Sequence, residues 1–180
     1  MEVVLLDAPI EETWMKVKED ALVTMGKKAV TPPTSEWKHA ILRARHSPIR
    51  NLMYRFYIKD LPYFVSVHLC RHTLAQPFVK SQRNDRQSDY DRNKAPQDSP
   101  VDMIWLMNAE ELMTIANKRL CMQASEETRN VVKEVCRVAE EATPELKGLL
   151  VPMCFRLYGH CDEMKPCGRF PSTEFNINEV

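Results

Sequence analysis

Glycine occupies only four of the 180 positions, and neither GxGxxG nor GxxxxGK followed by Ser or Thr occurs. The chain therefore lacks the glycine-rich turns with which dinucleotide-binding and P-loop folds press backbone N–H groups against a phosphate. Any phosphate it holds must be gripped mostly by side chains. The length suits one compact domain with a real core, expected over residues 1–170, with a flexible tail over 171–180. Acidic and basic residues balance at 25 each, which gives no pull toward nucleic acid or an anionic membrane. No run reaches the ~20 apolar residues that span a bilayer. The stretch from Met1 to Asp7 lacks the basic start and long apolar run of a secretory signal. The expectation is a soluble, cytoplasmic protein whose six cysteines are thiols.

Periodicity sets out the elements. Residues 2–6 read as a short strand. Asp7 is placed to cap a helix with Pro9 in its first turn, and Ile10, Trp14, Val17, Ala21 and Met25 recur at helical spacing as one buried stripe. A loop over 26–35 precedes a second helix from about Ser35 to Ala44. Leu52, Tyr54, Phe56 and Ile58 alternate on one face of a strand. Asp60 and Pro62 then open a helix carrying Val65, Leu69 and His72. Residues 74–100 are polar and aperiodic, which marks a functional or disordered loop. Asn108, with Glu111 three residues on, caps a helix in which Asn108, Leu112, Ile115 and Arg119 share a face. A last helix runs from near Ser125 to Ala142 and stops before Pro144. The mixture predicts an α+β fold.

The segment from Arg71 to Arg83 concentrates fixed cations, a hydroxyl and amides, groups that suit a phosphate or a base edge. Arg92, Asn108 and Arg119 join it if the loop folds back on the later helix. Pairing with Asp85, Asp89 and Asp91 on a solvated surface explains the same arginines equally simply. The order Arg71-His72, Ser81 ten residues after Arg71, and Arg83 two further on resembles the RHRxxSxNxxSxR signature of the flavin-dependent thymidylate synthases. The preceding "HSPIRNLMYRFYIKDLPYFVSVHLCRHT", the Arg92…Ala95-Pro96 element, and the Asn108, Leu112, Arg119 helix also look like that family, over roughly residues 46–142.

The resemblance implies a homotetramer of antiparallel sheet and long helices that binds FAD and dUMP. NADPH and methylenetetrahydrofolate are the implied co-substrates, the product is dTMP, and the implied nucleotide contacts are Ser81, Gln82, Arg83, Arg92, Arg119 and His68. Arg119, which polarises the uracil in this reading, and Ser81 are the implied catalytic pair, while Arg71, His72, Thr73 and Asn108 face the flavin. The sequence departs from the family pattern at Thr73, Gln76, Val79, His68, Glu110, Thr114 and Arg50-Asn51. The nucleotide side is thus better kept than the flavin side. Two alternatives stay open: a flavin-independent hydroxymethyltransferase acting on a pyrimidine deoxynucleotide, and a non-catalytic nucleotide-binding protein.

Cys154, Cys161 and Cys167, with His160, offer zinc-type ligands, but at spacings wider than CxxC. Idle or buried thiols are the commoner meaning of such residues, so the expectation is no metal. Cys70, Cys121 and Cys136 are expected on buried helix faces.

Overall fold

A computed structural model describes residues 1–87 and 90–172. The fold is α+β. Strands β1 (Glu2–Asp7), β2 (Met53–Pro62), β3 (Gln76–Val79) and β4 (Pro100–Asn108) form one antiparallel sheet in the order β1-β2-β4-β3. Helices α1 (Glu11–Val23), α2 (Ser35–Ala44), α3 (Tyr63–Leu69), α4 (Ala109–Arg119), α5 (Glu126–Ala142) and the single turn α6 (Met153–Arg156) complete it.

One face of the sheet carries the core. Leu5, Phe56 and Trp105 lie side by side across β1, β2 and β4, and Phe56 and Trp105 are wholly buried. Tyr54 and Ile58 extend this face along β2, with Tyr54 stacked 6.3 Å from Phe56. α5 covers it with Val131, Val132, Val135, Cys136 and Ala139, and α4 adds Leu112, Ile115 and Ala116. The opposite face is the more exposed one. There Val4, Tyr57, Ile104 and Phe78 pair in one row across all four strands, and Val4 and Phe78 are exposed.

Several boundaries differ from the expectations. Asp7 ends β1 and pairs with Arg55 at 3.6 Å instead of capping a helix. α1 begins at Glu11, and its stripe buries Trp14 and Val17 but leaves Ile10 and Met25 exposed. β2 continues past Ile58 to Pro62 through a bulge at which Asp60 takes φ 54°, a conformation that short Asp tolerates better than most residues. Pro62, with φ already near the helical value, is the N-cap of α3. His72 lies beyond that helix, in a turn whose backbone N–H donates to Leu69 O.

The polar stretch after residue 74 is not uniformly loop, because it contains β3. Pro77 is tolerated there since β3 is an edge strand with one neighbour. The chain from Lys80 to Ser99 returns to the sheet at both feet: Lys80 N–H donates to Asp102 O, and Tyr63 N–H to Ser99 O. The tail expected over 171–180 lies outside the described residues from position 173 onward.

Candidate functional site

Helix α4 starts from Asn108, whose Oδ1 accepts from Glu111 N–H at 2.9 Å, as its place three residues before a buried glutamate requires. Eleven residues later Arg119 emerges at the other end, about three turns on. The turn after α3 meets it there. Arg119 Nε donates to His72 Nε2 at 2.8 Å, and Nη2 donates to the carbonyl oxygen of His68 at 2.9 Å. Nη1 has no protein partner among the described residues.

An arginine is always a donor, so His72 Nε2 must be the acceptor and the ring proton sits on Nδ1. That atom faces Glu111 Oε1 at 3.4 Å. Burial, then the charges of Arg119 and Arg71, push His72 down to about 4. Burial and the adjacent Glu110 hold the Glu111 carboxyl above its ordinary range. Glu111, His72 and Arg119 form a line from the core to the surface that fixes the guanidinium plane.

This arrangement gives a pH dependence with a definite sign. The folded-state pKa of His72 lies below its ordinary 6.5, so the unfolded chain binds the extra proton between pH 6.5 and about 4. Stability therefore falls as pH drops through that window. His72→Gln keeps an acceptor for Arg119 but does not titrate, so its melting temperature should fall less than the wild type's across the same range. Parallel curves for the two proteins would contradict the assignment.

Arg71, His72, Lys118, Arg119, Gln123 and Glu163 are the main walls of a cleft of ≈ 340 Å³. Its three permanent cations suit an anionic, phosphate-bearing ligand. The other residues picked out by the sequence lie elsewhere in the chain. Gln82 lines a second cleft, of ≈ 480 Å³, with Lys80, Tyr90 and Lys94. Arg83 is exposed and pairs with Asp85 through Nε at 2.9 Å and Nη2 at 2.5 Å. Asp85 lies below its ordinary carboxyl range chiefly because of that bond, with a smaller contribution from Arg92.

Arg92 is exposed, and its backbone N–H donates to Asn84 Oδ1 at 3.1 Å. Ser81 Oγ accepts from Arg83 N–H at 3.4 Å. Thr73 is exposed in the turn after His72. The His68 ring turns to α5, with Nδ1 3.1 Å from Thr128 Oγ1, so its backbone, not its imidazole, reaches Arg119. A single chain thus gathers Arg71, His72 and Arg119 around one cleft and leaves Ser81, Arg83 and Arg92 on the long loop.

Sequence reasoning passed over the site roles of three residues, Glu111, Lys118 and Glu163. Glu111 was read only as a capping residue, although its place one turn inside a buried helix face was a signal. Lys118 and Glu163, paired at 3.3 Å, come together only in the fold. Arg50 and Glu110 are two departures from the family pattern that pair with each other at 2.5 Å, so Glu110 does not stand in the site as an uncompensated charge.

Among the described residues no group of three or more His, Cys, Asp or Glu side chains could hold a metal ion. No helix among them is long and apolar enough to cross a membrane. All six cysteines are thiols. Cys136 is buried as expected, whereas Cys70 is exposed and Cys121 lies just past the end of α4, half-buried.

Residues 87–145 match the family model described as thymidylate synthase complementing protein, a span that includes Arg92, Asn108 and Arg119. Two crystal structures of thymidylate synthase X (ThyX) from Helicobacter pylori, both with FAD and dUMP, share the fold. One superposes with a TM-score of 0.66 at 17% identity, covering 83% of this chain and 99% of that one. The other gives 0.64 at 18%, covering 83% and 98%. A UMP/dUMP methylase, PolB, from Streptomyces cacaoi, bound with 5-Br dUMP, gives 0.62 at 14%, covering 80% and 92%. A search of curated protein sequences finds no match. Over residues 87–145 the chain is similar to the thymidylate synthase complementing protein family, and over most of its length it shares the fold of the ThyX structures.

Proposed function

We propose that the protein transfers a one-carbon unit from methylenetetrahydrofolate to C5 of dUMP, with FAD reduced by NADPH, to give dTMP. The observation that carries this reading is the guanidinium of Arg119. It is fixed through two nitrogens, leaves a third without a protein partner among the described residues, and stands beside Arg71 in a cationic cleft. A fixed cation placed where negative charge develops on a uracil oxygen costs no reorganisation during reaction, and it draws electrons from the ring that must accept the carbon.

Arg71, with His72, Thr73 and Asn108, would hold FAD. The side chains fit: Arg71 is an exposed cation on the cleft wall, and the Nδ2 donor of Asn108 is not used by its capping bond. FAD when bound supplies the reducing equivalents that turn the transferred methylene into a methyl group. Ser81, Gln82, Arg83 and Arg92 would complete the nucleotide site from the long loop of a neighbouring subunit. The uncovered apolar row of the sheet fits assembly into a homotetramer. His68 then acts through its carbonyl oxygen, which holds Arg119.

A second reading, transfer of the one-carbon unit without reduction to give a hydroxymethyl product, draws on the Arg50–Glu110 pair. That pair puts a carboxylate at the head of α4 where the family often has a flavin-contacting arginine. The purified protein separates the readings. The first expects a yellow protein with a flavin spectrum that releases the C5 proton of dUMP and yields dTMP. A colourless protein that releases the proton and yields hydroxymethyl product fits the second. No proton release, with or without added FAD, overturns both and leaves nucleotide binding alone.

A further inference from the structure

Apart from the cleft around Arg119, the end of α2 and the single turn α6 border a cleft of ≈ 350 Å³. Arg43 from the last turn of α2, Arg45 from its C-cap and Arg156 from α6 line it, and none of its described lining residues is acidic. Elsewhere in the chain Arg50, Arg55, Arg83 and Arg137 each hold a carboxylate. Among the described residues Arg43, Arg45 and Arg156 hold none. Arg156 reaches only Met153 Sδ, at 3.9 Å.

Arg45 is fixed in place against its own preferences. Its backbone is left-handed, with φ 52°, where glycine or asparagine more often ends a helix. Nη1 donates to Thr114 Oγ1 at 3.4 Å and Nη2 to Asn117 Oδ1 at 2.5 Å. Asn117 is wholly buried, and its Nδ2 donates to Val151 O at 2.6 Å, so the guanidinium is held from the core. These bonds leave other N–H donors of the guanidinium without a protein partner among the described residues. Burial, then the charge of Arg156, push Arg45 below its ordinary range, against a smaller pull from Glu110, which Arg50 already holds. An anion in the cleft relieves both the desolvation and the repulsion.

The rest of the wall suits a planar group. Met113 is buried beneath it, and Tyr158 on its rim is 91% exposed. Tyr158 takes φ 53° and Gly159 φ 92°, a turn that holds the ring out where a base can lie on it. Three fixed cations match the several charges of an oligophosphate, and the volume is that of a small-molecule site.

We propose that this cleft binds a nucleoside triphosphate, its phosphates gripped by Arg43, Arg45 and Arg156 and its base laid against Tyr158. The site is separate from the cleft of Arg71 and Arg119 and requires nothing of the proposed reaction. Asn117 holds Arg45, and the next two residues of α4, Lys118 and Arg119, line the first cleft. Ligands at the two places therefore meet the same end of one helix.

Titration calorimetry of the full chain with ATP, inorganic tripolyphosphate and adenosine, without magnesium, tests the site. ATP should bind most tightly, tripolyphosphate less tightly and adenosine least, with both charged probes weakened by salt. Arg43→Gln and Arg156→Gln should each lower the affinity for both charged probes about tenfold, and Arg45→Gln by about ten- to a hundredfold. Tyr158→Ala should lower the affinity for ATP about tenfold and leave that for tripolyphosphate unchanged. Arg71→Gln, on the other cleft, should leave this pattern in place. Arg43 and Arg156 are exposed, so their variants decide the matter even if Arg45→Gln fails to fold. Three results would overturn the site: no binding of either charged probe, a loss that follows Arg71 and not Arg43 and Arg156, or equal affinity for ATP and tripolyphosphate that Tyr158→Ala does not move. Neither dUMP binding nor turnover enters these readouts, so the site stands or falls separately from the proposed reaction.

Discussion

Arg119→Ala should weaken dUMP binding by one to two orders of magnitude and reduce turnover by about 10²–10³, while the fold survives. The binding estimate follows from losing charge-assisted hydrogen bonds worth about 1.5–3 kcal/mol, at 1.4 kcal/mol per factor of ten. The turnover estimate follows from removing a donor aimed at developing charge. The structural cost is limited to orphaning His72 Nε2 and the His68 carbonyl, about 1–3 kcal/mol if both stay dry. Arg119→Lys separates charge from geometry. An ammonium keeps the charge but cannot hold both partners in one plane, so it should recover binding more than turnover. Titration calorimetry with dUMP and release of label from C5 read the two effects. An alanine variant that binds and turns over normally would remove Arg119 from the site.

Phe56→Ala should be the most damaging single truncation in the sheet, at about 3–5 kcal/mol. Phe56 is fully buried, lies between Leu5 and Trp105 in the ladder, and stacks on Tyr54. These neighbours belong to three strands, so none can collapse into the void without breaking register. For a chain of this size the loss corresponds to a fall in melting temperature of roughly 6–20 °C. Phe56→Leu, which leaves a smaller void, should cost distinctly less. Denaturant unfolding measures both, and a loss below about 1 kcal/mol for alanine would show that the core is centred elsewhere.

The sequence was most readable where one local signal decides an element. Asn108 and Ser125 start helices because a short oxygen-bearing side chain there answers an N–H three residues on, and Pro144 ends α5. The alternation of Tyr54, Phe56 and Ile58 marks a strand with one dry face. β4 was missed for the converse reason. Val101, Met103, Trp105 and Met107 do alternate, but Ile104 and Leu106 between them are apolar too, so the period is blurred. They are apolar because the far face of the sheet is itself an apolar row.

β3 was hidden by its proline. The limit at the site is physical as well. Arg71, His72 and Arg119 meet because a turn and a helix end are adjacent in one chain. Nothing local in Arg83 or Arg92 decides whether they serve this copy, a neighbour, or only Asp85.

The pairing scheme of the sheet governs how such a chain can be made. No two adjacent strands are joined by a tight hairpin: Glu2 pairs with Lys59, Met53 with Asn108, and Val79 with Met103. During synthesis the first strand must wait unpaired for some fifty residues, and β2 then waits for β4. Closing loops of that length before any ladder contact rewards them makes assembly slow. A nascent chain halted before Pro100 would expose the apolar flanks of β1 and β2 together, and that intermediate is the one a cell has to keep from sticking to its neighbours.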